Sequence, residues 1–225
     1  MSADLDQPIH SALHSIHRHL ALHAPGAVRY PPEHAPFFAV DDEAGDVSEA
    51  IHALLAPSET VLLLGRAPAR HDGAQLHAFP QLAQMVCDAP LAEVPGPEII
   101  ALGESHRADV LALTALVYPH YFRPRTMDMG RYFGIYENGR LAAMIGERMG
   151  SNDAREISAV CTHPDFLGHG YARRLMAFLT NDLLAQGLQP FLHVSHENAR
   201  AKAMYEGIGY RTRRDIGFWS LRRGA

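Results

Sequence analysis

The spacing of apolar residues predicts alternating helices and strands along most of the chain. Apolar positions three and four residues apart predict helices, and short unbroken apolar runs predict buried strands. The predicted helices are 9–20, 51–55, 105–117, 171–186 and 198–208, and the predicted strands are 60–64, 99–102, 132–136, 141–149, 156–161 and 191–194. The segment 65–97 has no clear pattern, and we interpret 210–221 as a closing hairpin.

Turn residues add a hairpin and a boundary to this picture. Asn138 and Gly139 stand between two strand-like runs, and this pair is the strongest short signal for a β-hairpin. The composition and pattern of the sequence change near Pro95-Gly96-Pro97. Before this point the chain is rich in His, Ala and Pro, and after it strong helix and strand signals alternate. We therefore expect an N-terminal α/β unit at 1–97 and a second unit at 98–225.

The composition favours a globular protein with a sizeable core. The chain has 225 residues, 47% of them hydrophobic, and a formal net charge of −5. A pI near 6.3 argues against general nucleic-acid binding. We find neither the apolar run of ~20 residues that a membrane span needs nor a secretory signal. Two cysteines, Cys87 and Cys161, cannot build a disulfide framework, so we expect a cytoplasmic protein without membrane partners.

The segment 167–174, Leu-Gly-His-Gly-Tyr-Ala-Arg-Arg, joins a predicted strand to a predicted helix. Gly168 and Gly170 allow the backbone to turn so that N–H groups converge, and the helix N-terminus adds unpaired donors and a positive dipole end. Arg173 and Arg174 in the first turn oppose that dipole, and a bound anion would remove the conflict. The loop therefore suits phosphate; the alternative is a flexible turn whose arginines face water.

Two familiar phosphate motifs do not fit this loop. A dinucleotide fingerprint needs Gly or Ala where Arg173 stands, and an acidic residue about 20 residues further on. A Walker loop needs Gly-Lys followed by Ser or Thr, which is missing here.

Three segments in a fixed order carry a family resemblance. The first segment is 156–164 followed by Gly168-His169-Gly170-Tyr171-Ala172. The second, downstream, consists of Asn198, Ala199, Tyr205-Glu206 and Gly209-Tyr210. The third, upstream, consists of 132–135 and 144–149. The first resembles the acyl-CoA-binding motif of the GCN5-related N-acetyltransferases (GNATs), especially the FR47-like branch related to glycine N-acyltransferase. The resemblance covers roughly 98–221. Leu167 departs from it, because the family usually has Arg or Gln there.

The resemblance implies an α/β (α+β) fold of the GNAT type. Its mixed, mostly antiparallel central sheet would be flanked by helices and would splay between 156–161 and 191–194 to hold the acyl-CoA. The smaller N-terminal unit would be a degenerate half of the same architecture or a lid on the acceptor site.

The implied activity is N-acyl transfer, in the first place N-acetyl transfer, from acyl-CoA to the amine of a small molecule or amino acid by direct attack. Acetyl-CoA or another acyl-CoA would be the co-substrate, with no metal. A homodimer is left open.

The resemblance also implies roles for individual residues. Tyr205 would be the general acid for the leaving thiolate, and its alternative is a buried aromatic. An alkylamine is mostly protonated at neutral pH, by analogy with the lysine side chain, whose pKa is ~10.4. A base is therefore needed to remove a proton before the amine can attack. Glu156 is the first candidate and Glu147 the second, and for each the alternative is a salt bridge. The coenzyme-binding residues implied by the resemblance are Val160, Cys161, Thr162, Gly168, His169, Gly170, Tyr171, Ala172, Arg173, Asn198 and Lys202.

Within that set the expected contacts differ. The backbone N–H of Val160 or Cys161 would hold the oxyanion. Asn198 would bond the pantetheine arm. Arg173 and Lys202, together with Arg174 outside that set, would face the phosphates, and for each the alternative is a solvated surface position. For Cys161 itself, a small apolar role in a strand is favoured over an acyl-cysteine intermediate.

Two further groups of residues are open to interpretation. His10, His14 and His17 share a helical face, but without a Cys partner or a zincin Glu they favour a solvated surface over a metal site. The loop 118–128, with Tyr121, Phe122, Arg123 and Arg125, is expected to line the acceptor pocket. Its arginines favour an acceptor that carries a carboxylate.

Two other functions stay open at this stage. One is a non-catalytic CoA-binding or regulatory module that lacks a working base. The other is a nucleotide-binding protein that uses Gly168 and Gly170 for a different phosphate.

Overall fold

A single eight-stranded sheet forms the centre of the molecule. The structure is a computed structural model that describes residues 3–117, 119 and 121–225. The strands among these residues are β1 (Leu22–Ala24), β2 (Ala27–Arg29), β3 (Phe38–Val40), β4 (Thr60–Leu64), β5 (Ala74–Val86), β6 (Ile100–Leu102), β7 (Tyr132–Glu137), β8 (Arg140–Gly150), β9 (Ala154–Thr162), β10 (Gln189–Ser195) and β11 (Arg211–Arg223). The large sheet has the order β4-β11-β5-β10-β9-β8-β7-β6, and β1-β2-β3 form a small second sheet. Neighbours in the large sheet are antiparallel except β9 and β10.

Helices cover both faces of the large sheet. They are α1 (Pro8–His14), α2 (Ser48–Leu54), α3 (Arg107–Val117), α4 (Tyr171–Ala185) and α5 (Ala199–Ile208). On one face α4 and α5 pack in a buried cluster that includes Leu175 and Ile145. On the other face α1, α3 and the small sheet form the cover, and Val110 of α3 packs in a cluster with Met144. Met144 and Ile145 are neighbours on β8, so strand alternation separates the two cores.

Strands from before and after the expected boundary at residue 97 interleave in this sheet. β5 pairs with β10 on one side and with β11 on the other, and β4 pairs with β11 at the edge. The part of the chain before residue 97 therefore supplies one central strand and one edge strand to the same sheet that carries β9 and β10.

The hairpin of β7 and β8 forms as predicted. Glu137 pairs with Arg140 across the turn, and Asn138 and Gly139 have φ values of 52° and 76°. Two successive left-handed residues make the type I′ turn that Asn-Gly favours. The predicted β4, β6, β9, β10, α4 and α5 also form, with bounds within two residues of those expected.

Three segments differ from the sequence-based expectations. The first helix ends at His14, and a short 3₁₀ turn at Arg18–Leu20 follows it. The tail is not a hairpin but one strand of 13 residues, β11. The segment without a clear pattern contains β5, also of 13 residues, whose first half is mostly exposed.

In the part of the chain that the structure describes, the helices are too short or too polar to cross a bilayer.

Candidate active site

The parallel strands β9 and β10 pair over only a short stretch. Their register joins Gln189 to Ala154, Pro190 to Arg155 and Phe191 to Glu156. Beyond those pairs β9 continues to Thr162 and β10 to Ser195 without pairing to each other. A gap therefore opens in the middle of the sheet, at the place where the family resemblance implies a splay.

A bulge in β9 borders the gap. Met144 of β8 pairs with Cys161 and Gly146 with Ser158, so two residues of β9 stand opposite one residue of β8. Ala159, one of those two, has a φ of 52°, which is a left-handed conformation that is strained for a residue with a Cβ. The bulge interrupts the ladder of hydrogen bonds at the residues that line the gap.

A cavity of about 510 Å³ occupies this gap and extends beyond it. Residues 158–161 of β9, residues 192–195 of β10, and Tyr205 of α5 form one part of its wall. The buried Glu156 and the half-buried Arg148 and His193 belong to the same lining. The cavity therefore joins the gap to titratable side chains inside the protein.

The loop before α4 is open at both of its glycines. Gly168 and Gly170 have φ values of 85° and 78°, and a Cβ built on either would have no other atom within 4 Å. Gly170 is the N-cap of α4, where the first backbone N–H groups lack helical partners. An open turn at a helix N-terminus is a suitable place for an anion.

Neighbouring side chains anchor this loop to the sheet. Tyr171 is buried, and its hydroxyl donates to Glu137 Oε1 at 2.9 Å. The ring of His169 stacks on the ring of Tyr171, with centroids 5.4 Å apart. Thr162, which ends β9, and Ala172, in the first turn of α4, are half-buried. Tyr171 and His169 thus fix the loop through their side chains, in addition to any contact of their backbone with a ligand.

The basic residues expected to face the phosphates differ: one is exposed beside the loop, and two are bonded to other groups of the protein. Arg173 is exposed beside the loop. Arg174 turns away from it and donates to the carbonyl oxygens of Pro97, at 2.9 Å, and Val94. Lys202 Nζ donates to Glu206 Oε1 at 2.6 Å, one turn along α5.

Asn198 caps the helix that borders the gap. Its Oδ1 accepts a hydrogen bond from the Ala201 N–H at 3.1 Å, and its side chain lines the cavity. Tyr205 lies on the same helix, buried in the cavity wall with its ring 6.1 Å from that of Tyr210. The cap fixes where α5 begins and so where Tyr205 lies.

Glu156 is held in a buried ion pair. Its two carboxylate oxygens accept hydrogen bonds from Arg148 Nε at 2.9 Å and Arg148 Nη2 at 2.8 Å. Burial acts to raise the pKa of Glu156, but the charge and hydrogen bonds of Arg148 and the bond from His193 outweigh it, so the pKa falls to about 2. The carboxylate is therefore ionised at neutral pH and a weak proton acceptor, which counts against a role as general base.

His193 completes this buried cluster. Its Nδ1 lies 2.8 Å from Glu156 Oε1, and its Nε2 lies 3.0 Å from Gln84 Nε2. The Gln84 amide is oriented by two partners: its Nε2 donates to the Leu5 carbonyl, and its Oε1 accepts from Arg213. Gln84 therefore donates to His193 Nε2, and Nδ1 carries the proton that bonds Glu156.

The second base candidate, Glu147, lies on the opposite face of the sheet. Its carboxylate pairs with Arg131, which also bonds Asp182 of α4 at 2.8 Å. Glu147 is not part of the cavity lining. The salt bridge considered as its alternative is thus what the structure shows.

Cys161 lines the cavity but is a poor nucleophile. Burial raises the pKa of its thiol to about 12. The thiol stays protonated at neutral pH, and a thiol reacts far more slowly than a thiolate. This favours the apolar role over an acyl-cysteine intermediate.

Only part of the expected acceptor loop reaches the cavity. Tyr121 is in the lining, while Arg123 and Arg125 are not. Arg125 Nε donates to Asp128 Oδ2 at 2.8 Å. Tyr118, the first residue of the expected loop, lies outside the described residues. The expectation that two arginines of this loop line the pocket is therefore wrong.

The N-terminal histidines are brought near an acidic residue that the helical pattern did not reveal. His10 Nε2 lies 3.2 Å from Asp41 Oδ1, and the ligand atoms of His10, His14 and Asp41 lie within 4.8 Å of one another at the surface. His17 is separate and buried, between the Tyr30 hydroxyl and the Met129 carbonyl. The sequence-based expectation of a site without metal stays a prediction.

Arg148 and His193 are the site residues that the sequence analysis missed. Both are ordinary strand residues in the sequence, and what identifies them is pairing with Glu156 across neighbouring strands. The signal that was available is a titratable side chain within each of two mostly apolar predicted strands, 141–149 and 191–194, since buried charges require partners.

Comparisons with known proteins show what this chain is similar to. The family model described as FR47-like protein matches residues 132–219. An acetyltransferase of Yersinia enterocolitica is 35% identical over 77 residues, which are 33% of this chain and 55% of that relative. The chain thus spans about half the length of this curated relative.

A solved structure decides the family. A GNAT-family protein from Novosphingobium aromaticivorans is 30% identical, covers 100% of both chains and has a TM-score of 0.89. This chain belongs to the GCN5-related N-acetyltransferase family. A GNAT structure from Kribbella flavida, at 13% identity, a TM-score of 0.60, and coverage of 96% of this chain and 94% of its own, shows the fold alone.

Membership of the GNAT family confirms the predicted fold class, and it supports N-acetyltransferase activity in general. The relation to glycine N-acyltransferase stays a prediction.

Proposed function

We propose that this GNAT protein transfers an acetyl group from acetyl-CoA to the amine of a small molecule by direct attack. The observation that carries the proposal is the cavity at the point where β9 and β10 separate, lined by the β9 bulge and Tyr205. A cavity at that place can receive a thioester between two strands and present it to a second substrate inside the protein.

The loop before α4 would hold the diphosphate of the coenzyme. The open backbone at Gly168 and Gly170 and the start of α4 supply amide donors, and Arg173 supplies a nearby positive charge. Leu167, half-exposed, adds no polar contact, so the main chain carries this interaction. Asn198 borders the gap at the N-cap of α5, where the pantetheine arm would pass, and Lys202 lies one turn further along this helix.

The chemistry needs three things from the protein: a proton acceptor, an oxyanion donor and a proton donor. In direct attack the amine nitrogen forms a bond to the acyl carbon, and the carbon–sulfur bond breaks. Backbone N–H groups at Val160 or Cys161 would stabilise the oxyanion. Tyr205 would protonate the leaving thiolate, since its phenol lies in the cavity wall.

Glu156 is assigned a positioning role instead of the role of base. Its carboxylate fixes the guanidinium of Arg148 and the ring of His193, and its pKa of about 2 makes it a weak acceptor. The ammonium proton then passes to water in the cavity.

A second candidate function is a non-catalytic CoA-binding module. The observation that favours it is the same ion pair, because it occupies the carboxylate that the family resemblance offers as base. Incubation with acetyl-CoA and a panel of small amines separates the two. The transferase releases free thiol and forms an acetylated amine detectable by mass spectrometry. Calorimetric binding of CoA without thiol release on any amine supports the binding module. Binding of ATP or NAD but not CoA contradicts both.

Gly170→Glu is expected to weaken CoA binding by at least tenfold. The substitution places a carboxylate at the open turn where phosphate would lie and forces a side chain into a backbone with a φ of 78°. Calorimetry with CoA measures the effect.

Gly187→Glu is a matched control for that variant. Gly187 has a φ of 75° and equally open surroundings, but it follows the other end of α4. If both variants lose the same affinity, the effect is backbone strain, and the loop before α4 does not bind the diphosphate.

A further inference from the structure

The part of the cavity away from the gap has an apolar wall. This apolar chamber is formed by six side chains from β4, β5, β11 and the segment before β3: Phe37, Leu62, Leu64, Phe79, Leu82 and Phe218. The rings of Phe79 and Phe218 contact each other at a tilt of 32°, with centroids 4.9 Å apart. Most of the chamber therefore comes from residues before 97, the unit for which the sequence analysis left open a degenerate half of the fold or a lid on the acceptor site.

The charged groups that line the cavity do not offer a partner for a carboxylate. Among the described residues of the lining they are Arg148, Glu156 and Glu197, with His193 beside them. Arg148 is bonded through both Nε and Nη2 to Glu156, and its guanidinium lies over the Phe37 ring at 4.9 Å. The formal charges therefore sum to a negative value, which favours a cationic amine over an amino acid.

The chamber has its own contact with solvent. Phe79 is 36% exposed and Val117, also in the lining, is 38% exposed. The exposed residues Glu197 and Asn198, which follow β10 and precede α5, also belong to the lining. The lining of the cavity therefore includes solvent-exposed residues both near the chamber and beside the gap.

We propose that the acceptor is a primary amine on an apolar, aromatic or branched body that lacks a carboxylate, with this body in the apolar chamber. The identification of this amine as the acceptor rests on the proposed function, but the binding preference can be measured without turnover. Apolar surface in the chamber would be buried against the ligand, whereas an added carboxylate would lose its hydration without gaining a cation.

Calorimetry on the full chain with CoA present tests the preference with three amines. Phenethylamine and phenylalanine differ by the carboxylate, and phenethylamine and ethanolamine differ by the apolar body. We expect phenethylamine to bind at least tenfold tighter than either. Equal affinities, or tighter binding of phenylalanine, would overturn the proposal.

A pair of variants locates the effect. Phe79→Ser should remove the preference for phenethylamine and leave ethanolamine binding unchanged. Phe178→Ser is the matched control, because Phe178 is 38% exposed but lies on α4 outside the lining. A preference that survives Phe79→Ser, or that Phe178→Ser removes equally, contradicts the chamber as its source.

Two further experiments distinguish this inference from a site for the acyl chain and from the proposed function itself. An acyl tail shares the apolar chemistry of the amine body. If Phe79→Ser weakens hexanoyl-CoA and leaves phenethylamine unaffected, the chamber holds the acyl chain, and the acceptor assignment is wrong. Thiol release from acetyl-CoA tests the proposed function separately. Preferential binding of phenethylamine without thiol release supports the ligand preference of the chamber and contradicts the proposed acetyl transfer. Thiol release without preferential binding supports acetyl transfer and contradicts the ligand preference.

Discussion

Tyr205→Phe is expected to lower kcat for acetyl transfer by roughly 10²-fold or more while the affinity for CoA stays nearly unchanged. The phenol is the proton donor of the cavity wall that we assign to the leaving thiolate, and phenylalanine retains the ring without the proton. Because the ring remains packed beside Tyr210, the loss should appear in kcat and not in folding. Steady-state kinetics and CoA calorimetry on the same preparation measure both quantities.

Tyr210→Phe is the matched control for this experiment. The Tyr210 hydroxyl lies 2.7 Å from Thr180 Oγ1, is buried and is outside the cavity lining. We expect a small loss of stability and an unchanged kcat. If Tyr205→Phe keeps the wild-type kcat, Tyr205 is not the general acid; if Tyr210→Phe lowers kcat equally, the effect comes from packing of α5.

Local signals predicted the C-terminal half of the fold well. The hairpin turn at Asn138 and Gly139 requires two left-handed residues in succession, and this pair adopts that conformation more readily than others. The stripe of apolar residues on α4 and the glycines on either side of it are likewise properties of a short stretch of sequence. Such elements are predictable because the residues that determine them are neighbours in the chain.

β5 was missed because its sequence contradicts the usual strand pattern. Pro80 lies inside it and cannot donate to a ladder. The structure accommodates the proline at a register shift, where Ile216 pairs with Leu82 and Phe218 with Phe79, leaving Pro80 and Gln81 opposite Gly217. The partner strand β11, which was interpreted from the sequence as a hairpin, carries Gly217 at this irregularity. Only the pairing of β5 with β11 shows that both are long strands.

The candidate site was predictable in its backbone and not in its side-chain network. The loop glycines belong to a motif that is continuous in sequence, and the splay was expected from the family resemblance. The cluster of Arg148, Glu156 and His193 depends on the register of three strands, two of them separated by a helix. Its contact with Gln84 depends on β5, a strand that was not predicted from the sequence. A carboxylate that looked like a base is, in its folded surroundings, one half of an ion pair.

Removal of that carboxylate should be costly. Glu156→Gln is expected to lower the free energy of unfolding by about 3 kcal/mol, because the guanidinium of Arg148, 12% exposed, is left without its counterion. Denaturant unfolding at pH 7 measures the loss. Glu147→Gln on the neighbouring strand is the control: its partner Arg131 is 42% exposed and keeps Asp182, so we expect about 1 kcal/mol.

The pH dependence of stability distinguishes the ion pair from simple packing. The pKa of Glu156 is about 2 in the folded protein against an ordinary 4.5, because Arg148 and His193 outweigh the opposing effect of burial. A group whose pKa falls on folding stabilises the protein above its unfolded pKa and loses that contribution as the pH falls through the folded one. The wild type should therefore lose about 3 kcal/mol more than Glu156→Gln between pH 5 and pH 2.

The same variant decides whether Glu156 takes the amine proton. As a positioning residue it should leave the acid limb of the pH profile of kcat/KM in place, because that limb belongs to the ammonium group of the acceptor. If Glu156→Gln instead folds with wild-type stability, and its kcat collapses with loss of the acid limb, the carboxylate is the base after all. The two outcomes differ in both stability and pH profile. An ion pair contributes to the stability of the fold whatever the protonation state of the substrate, whereas a base acts only on the bound ammonium group.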